Sequence, residues 1–300
     1  MLAVSTYIVY NELTSQMMLL GLGGIALVGF VCNVLLLRVL YRINELWGSL
    51  AFRLITCVAA GDLLSSLAML GTGIFRAALG YAGVLESEWY CRLFGSTMFL
   101  GNSLTGLLLS MLALDRYLAV RHSRRLKPTY AWLVFGASAV VSIVILGYSV
   151  HRNAFELDPT YSHCMPSKGD RFRWTSILMK ILANVPVLII SFCYTAIFTI
   201  CCRIQSANHA LFGSHLPFRA LFIFLAYLIC YFPKLFVFIW SLFTDLYPPF
   251  ILYILSPLAV TSLIVINPML VLFLSNKVQQ EVMHISFYQA SDSSEIIIAP

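Results

Sequence analysis

Residues 93–114 read LFGSTMFLGNSLTGLLLSMLAL, an apolar run without one charged side chain, and Asp115-Arg116-Tyr117 follows at once. A helix rising about 1.5 Å per residue needs about 20 such residues to cross about 30 Å of hydrocarbon. The run therefore reads as a membrane span that stops where charge begins. Six more stretches pass the same test. Stretches 17–37, 128–150 and 181–202 carry no charge, 54–75 carries only Asp62, and 220–244 carries only Lys234. The last, 246–276, is uncharged over 31 residues, too long for one upright span. Its Pro248, Pro249, Pro257 and Pro268 predict kinks, tilt and an end lying along the interface. A membrane barrel would show short alternating segments instead. The fold class expected is an all-α bundle of seven transmembrane helices.

Composition agrees. Apolar residues make up 60%, charged residues 11%, and the mean hydropathy is +0.87. Soluble domains carry roughly 25% charge, so this chain cannot cover a water-facing surface. A disordered, nucleic-acid-binding or soluble enzymatic chain is excluded, and the lipid bilayer is the first partner. With the N-terminus outside, eleven basic residues from Arg38 to Lys277 fall on one side against five acids, and seven face seven on the other. Basic residues collect on the cytoplasmic side, which sets the N-terminus outside and the C-terminus inside. The first sixteen residues carry no basic run of the kind that opens a cleaved signal peptide.

Of eight cysteines, Cys91 and Cys164 alone are expected outside, where the environment oxidises. A disulfide between them is the economical reading, and a free or metal-binding pair is the lesser one. Inside the spans, Asn33, Asp62, Thr105 and Asn267 stand near mid-helix. Each alone can be interhelical hydrogen-bond glue. A carboxylate at Asp62 asks for more, because it needs a cation, a proton or donor groups.

In their order and spacing these residues resemble the rhodopsin-like family of G-protein-coupled receptors, over about residues 17–285. Asp115-Arg116-Tyr117 is similar to the family's third-helix triplet, and Cys91 lies 25 residues before Arg116, as the family's disulfide cysteine does. Asn33 is similar to the first-helix asparagine and Asp62 to the second-helix aspartate. Pro186 with Tyr194 resembles the fifth-helix pair, Cys230-Tyr231-Phe232-Pro233 the sixth-helix Cys-Trp-x-Pro, and Asn267-Pro268 the seventh-helix Asn-Pro-x-x-Tyr. The sequence also departs from that pattern. Tyr231 replaces the tryptophan, Val271 the seventh-helix tyrosine, and no acid lies near Gly213 to hold the third-helix arginine. Leu263 and Ile264 replace polar residues that often complete a sodium pocket. A divergent switch is expected, and sodium beside Asp62 is not.

The resemblance implies a multi-pass plasma-membrane receptor with an extracellular ligand, a heterotrimeric G protein at its cytoplasmic face and no cofactor. It divides the chain into an extracellular N-terminus (1–16), a receptor domain (17–275) and a short amphipathic helix with a tail (276–300). It assigns the switch to Asn33, Asp62, Thr105, Asp115, Arg116, Tyr117, Pro186, Tyr194, Pro233, Asn267 and Pro268. It turns Met98, Phe99, Asn102, Tyr231, Lys234, Phe238 and Thr261 toward the ligand. Met98 stands where aminergic members have aspartate and Thr261 where opsins have the retinal lysine, so neither an amine nor retinal is expected. Lys234 is three residues after Tyr231, on one helical face. It can pair a carboxylate or phosphate, or simply snorkel toward the outer interface. Arg76 and Arg92 near the mouth tilt the expectation toward an anionic or lipid-like ligand.

No zinc-protease, serine-hydrolase or phosphate-loop motif occurs, and the six histidines are scattered. No enzyme is expected. A transporter or channel would want paired charges or inverted repeats, and a receptor-like scaffold with an impaired switch is the milder alternative. In the resting receptor Asp115 is expected to hold Arg116, and Pro233 to kink the sixth helix.

Overall fold

In hydrocarbon no water can satisfy a backbone N–H or C=O, so a long apolar run closes its hydrogen bonds internally as a helix. The computed structural model describes residues 2–43, 48–157, 164–166, 173–207, 215–243 and 249–274. Its long helices are α1 (Leu2–Arg42), α2 (Leu50–Glu86), α3 (Ser96–His122), α4 (Pro128–His151), α5 (Arg173–Ala207), α6 (His215–Phe243) and α7 (Phe250–Leu274). A helical turn at Glu88–Tyr90 and a π-type turn at Cys91–Gly95 lead directly into α3. Each of the seven helices holds a stretch long and apolar enough to span a membrane. The chain is a multi-pass seven-helix membrane protein.

Helix α1 runs from Leu2, since nothing between 2 and 16 is proline or glycine, and its stretch long and apolar enough to span a membrane starts at Leu13. Helix α6 ends at Phe243 and α7 starts at Phe250, with Pro257 and Pro268 inside α7. Helix α2 is interrupted near its C-terminal end at Gly80, whose φ of 70° suits glycine. The amphipathic helix and tail expected over 276–300 lie outside the described residues.

Helix α3 packs on α2, α4 and α5, and the remaining contacts close a ring through α6, α7 and α1 back to α2. Helix α4 is peripheral, and its Leu133, Val140, Val141 and Val144 are exposed, as a lipid-facing surface requires. Lipid tails are as apolar as leucine, so burial alone does not hold such helices together; close packing and interhelical hydrogen bonds do. The α2–α3 crossing shows the packing. A Cβ on Gly101 would run into the Ser65 hydroxyl, and one on Gly61 would stand 2.6 Å from the Thr105 hydroxyl. Small residues at i and i+4 on both helices let the backbones approach.

One non-helical piece appears in the 151–173 connection. Strand β1 (Phe155–Leu157) pairs antiparallel with β2 (Cys164–Pro166), with Leu157 opposite Cys164. Cys91 and Cys164 are disulfide-bonded with Cα atoms 5.2 Å apart, which ties the hairpin to the head of α3. Phe155 is buried there with Tyr90, Leu146 and Met179.

Candidate functional site: a buried polar chain between two ends

Four hydrogen bonds explain why polar residues stand at mid-span. Asn33 on α1 donates to the Gly29 carbonyl in its own helix at 2.8 Å and to the Ile264 carbonyl of α7 at 2.9 Å. Asn267 on α7 donates to the Asp62 carboxylate of α2 at 2.8 Å. The oxygen of Asn267 in turn accepts from the Tyr227 hydroxyl of α6 at 2.6 Å. Asn33, Asp62, Asn267 and Tyr227 are all buried. A continuous chain thus runs from α6 through α7 to α2, and such chains polarise one another in a low dielectric. Thr105, also buried, faces the Asp62 carboxylate without meeting strict hydrogen-bond geometry. Of the cation, proton or donor groups that Asp62 asks for, the structure shows a donor, Asn267.

One carboxylate oxygen of Asp62 accepts the Asn267 amide, and Leu263 and Ile264 of α7 are buried.

At the disulfide end, the ligand-facing set does not gather into one cluster. Met98 packs with Met18, Leu22 and Ala26 of α1, Met69 of α2 and Ile254 of α7. Its neighbour Phe99 packs under the hairpin with Tyr90 and Met179. Tyr231 is buried in the central core and stacks on Tyr227, ring centroids 6.3 Å apart and 15° from parallel. Asn102, Lys234 and Phe238 are half-buried, and Thr261 is buried. Lys234 forms no ion pair with a described residue. Arg76 is buried and Arg92 half-buried.

At the other end, the expected lock is replaced. Asp115 does not hold Arg116: its carboxylate, only 1% exposed, accepts from the Arg125 guanidinium at 3.0 Å and from the Leu126 backbone N–H at 3.0 Å. The cause is local. Ser123 adopts a left-handed backbone (φ 51°) after α3 and turns the chain back, so the next residues arrive beside Asp115. Arg116 is left exposed, within electrostatic reach of Tyr194. Tyr117 packs with Tyr194, Ile197 and Cys201 of α5. Pro186 is buried against α3, opposite Gly106, and Pro268 is buried directly after Asn267. Pro233 sits inside α6.

The sequence reading missed Tyr227 and Arg125. Tyr227 had a signal: it is four residues before Tyr231, one turn away on the same face. Arg125 had none, because only the turn at Ser123 brings it to Asp115.

The family model for seven-transmembrane receptors of the rhodopsin family matches residues 32–270, well over half of the chain. The chain belongs to that family. No curated protein matches it. Membership makes this a receptor-type membrane protein of a generally non-enzymatic family, whose members have ligand and G-protein partners. For this receptor, Asn33, Asp62, Arg116, Pro186 and Asn267 all fall inside the matched segment.

Proposed function

We propose that this receptor takes an extracellular ligand at its disulfide end and activates a heterotrimeric G protein at its Arg116 end, through movement of α6. The disulfide end faces outward and the Arg116 end inward at the plasma membrane. Two observations support that orientation: the basic excess collects at the Arg116 end, and a disulfide persists in an oxidising compartment. The observation that carries the reading is the buried chain from Tyr227 through Asn267 to Asp62, which lies between half-buried Lys234 and exposed Arg116. A ligand that prefers one arrangement of that chain shifts the population of the Arg116 end; a ligand indifferent to it does nothing.

A scaffold with an impaired switch is favoured by one observation only. Val271, in the seventh-helix tyrosine position, packs with Leu36, Val39 and Leu40 of α1 and offers no hydroxyl to a switch. Nucleotide exchange on purified heterotrimeric G proteins, in membranes carrying this chain, separates the two. The receptor reading expects exchange above chain-free membranes, lowered by Arg116→Ala. No exchange with any G-protein class overturns it in favour of the scaffold.

A further inference from the structure

The Tyr227 hydroxyl belongs to no motif singled out in the sequence, yet it closes the α6 end of the buried chain. We infer that the Tyr227 hydroxyl is a latch particular to this chain, and Tyr227 a positioning residue of its switch: the hydroxyl holds α6 to Asn267 of α7 and, through it, to Asp62 of α2. The inference rests on the receptor reading above for its output, though not for the latch itself.

The geometry comes first. Tyr227 lies six residues before Pro233, which places it about 9 Å along the helix axis on the Arg116 side of that proline. Proline leaves one backbone carbonyl without its usual partner and crowds the preceding turn, so α6 bends most readily there. Any outward swing of the Arg116 half about Pro233 moves the Tyr227 hydroxyl away from α7. A bend of about 15° at that lever arm displaces the hydroxyl by about 2 Å, enough to break a hydrogen bond now 2.6 Å long. The swing and the bond are mutually exclusive.

The input lies on the same face. Tyr231 is one turn further toward the disulfide end and its ring stacks on that of Tyr227. Lys234 follows three residues later on that face. A ligand that displaces Tyr231 therefore disturbs a neighbour whose hydroxyl is the latch. The partner side is rigid: Asn267 is fixed at its other end by Asp62, and α7 is tied to α1 by the Asn33 bond to Ile264. Val271 offers no hydroxyl one turn below Asn267, so Tyr227 supplies the tyrosine contact to α7 from α6 instead.

Tyr227→Phe tests this, because it keeps the ring and the stack and deletes only the hydroxyl. One interhelical hydrogen bond shifts a two-state population by about two- to tenfold. Basal nucleotide exchange per folded receptor should rise by that factor. On an Asn267→Ala background the same change should add nothing. A merely structural tyrosine would lower expression without raising basal exchange, and would add its effect on either background. The second readout does not use the G protein. Spin labels at Arg121→Cys on α3 and Leu221→Cys on α6, with exposed Cys202 changed to serine, report the opening of the Arg116 end. Tyr227→Phe should move the distance distribution toward longer values. An unchanged distribution, or lowered basal exchange, overturns the latch. A longer distance with no exchange by any variant supports the latch and overturns the G-protein reading.

Discussion

Asp115 and Arg125 pair at 3.0 Å across the turn at Ser123, and that contact takes the carboxylate that the neighbouring Arg116 was expected to use. The connection from α3 to α4 is thereby clamped to the end of α3, and Arg116 is left exposed.

The clamp can be separated from stability. Arg125 is 64% exposed, and an exposed pair contributes about 0–1 kcal/mol. Arg125→Ala should therefore leave thermal unfolding almost unchanged. Asp115→Ala removes the acceptor of the Leu126 amide as well, and hydrogen exchange at that amide should speed up. Asp115→Asn should raise basal nucleotide exchange, since it loosens the loop beside Arg116. A Leu126 amide as protected in Asp115→Ala as in the parent would count against the clamp.

The disulfide should matter more. The Cys91–Cys164 bridge spans 73 residues. Chain-entropy reasoning gives roughly 4 kcal/mol for closing such a loop. Cys164→Ser should lower the unfolding temperature in detergent markedly and weaken the protection of the Phe155–Leu157 amides. Peptide mapping without reductant should recover the two cysteines linked. Two free thiols there would dismiss the bridge.

The α2–α3 crossing offers a rescue experiment. A methyl group at Gly101 meets the Ser65 hydroxyl, and overpacking of this kind costs about 1–3 kcal/mol. Gly101→Ala should lower the unfolding temperature. Adding Ser65→Ala should return most of the loss, because the alanine methyl lacks the oxygen that clashes. If the double variant unfolds no later than Gly101→Ala, the crossing is not limited by that contact.

How far the sequence reached follows from the same physics. Span length depends on hydrocarbon thickness and on nothing distant, so seven spans were legible in runs such as 93–114. Asn33, Asp62 and Asn267 were legible because polar atoms at mid-span must find partners. Which partners they find depends on interhelical register, and a single helical period does not encode it. Tyr227 therefore looked like one more aromatic residue of α6. Arg125 looked like solvated charge, because its pairing depends on one left-handed residue, Ser123. The small hairpin hid for a similar reason: three-residue strands carry too short an alternation to read.

The ligand's chemistry is the remaining test, and Lys234 carries it. A lysine inside a membrane span is expensive unless its charge is matched. Among the described residues of the spans the carboxylates are Asp62 and Asp115, and both are engaged, by Asn267 and by Arg125. Lys234 is half-buried, forms no ion pair with a described residue, and shares a face of α6 with Tyr231. An anionic agonist would supply the missing charge beside Pro233, where α6 bends most readily. Hydrogen bonds to charged groups contribute about 1.5–3 kcal/mol, which corresponds to a potency loss of roughly ten- to a hundredfold for Lys234→Gln. Lys234→Arg keeps the charge but replaces a compact ammonium with a planar fork, so it should lose less. Agonist dose–response curves for the three proteins at matched surface expression measure both effects. A neutral agonist with potency untouched by Lys234→Gln would overturn the anionic reading and leave the family membership standing.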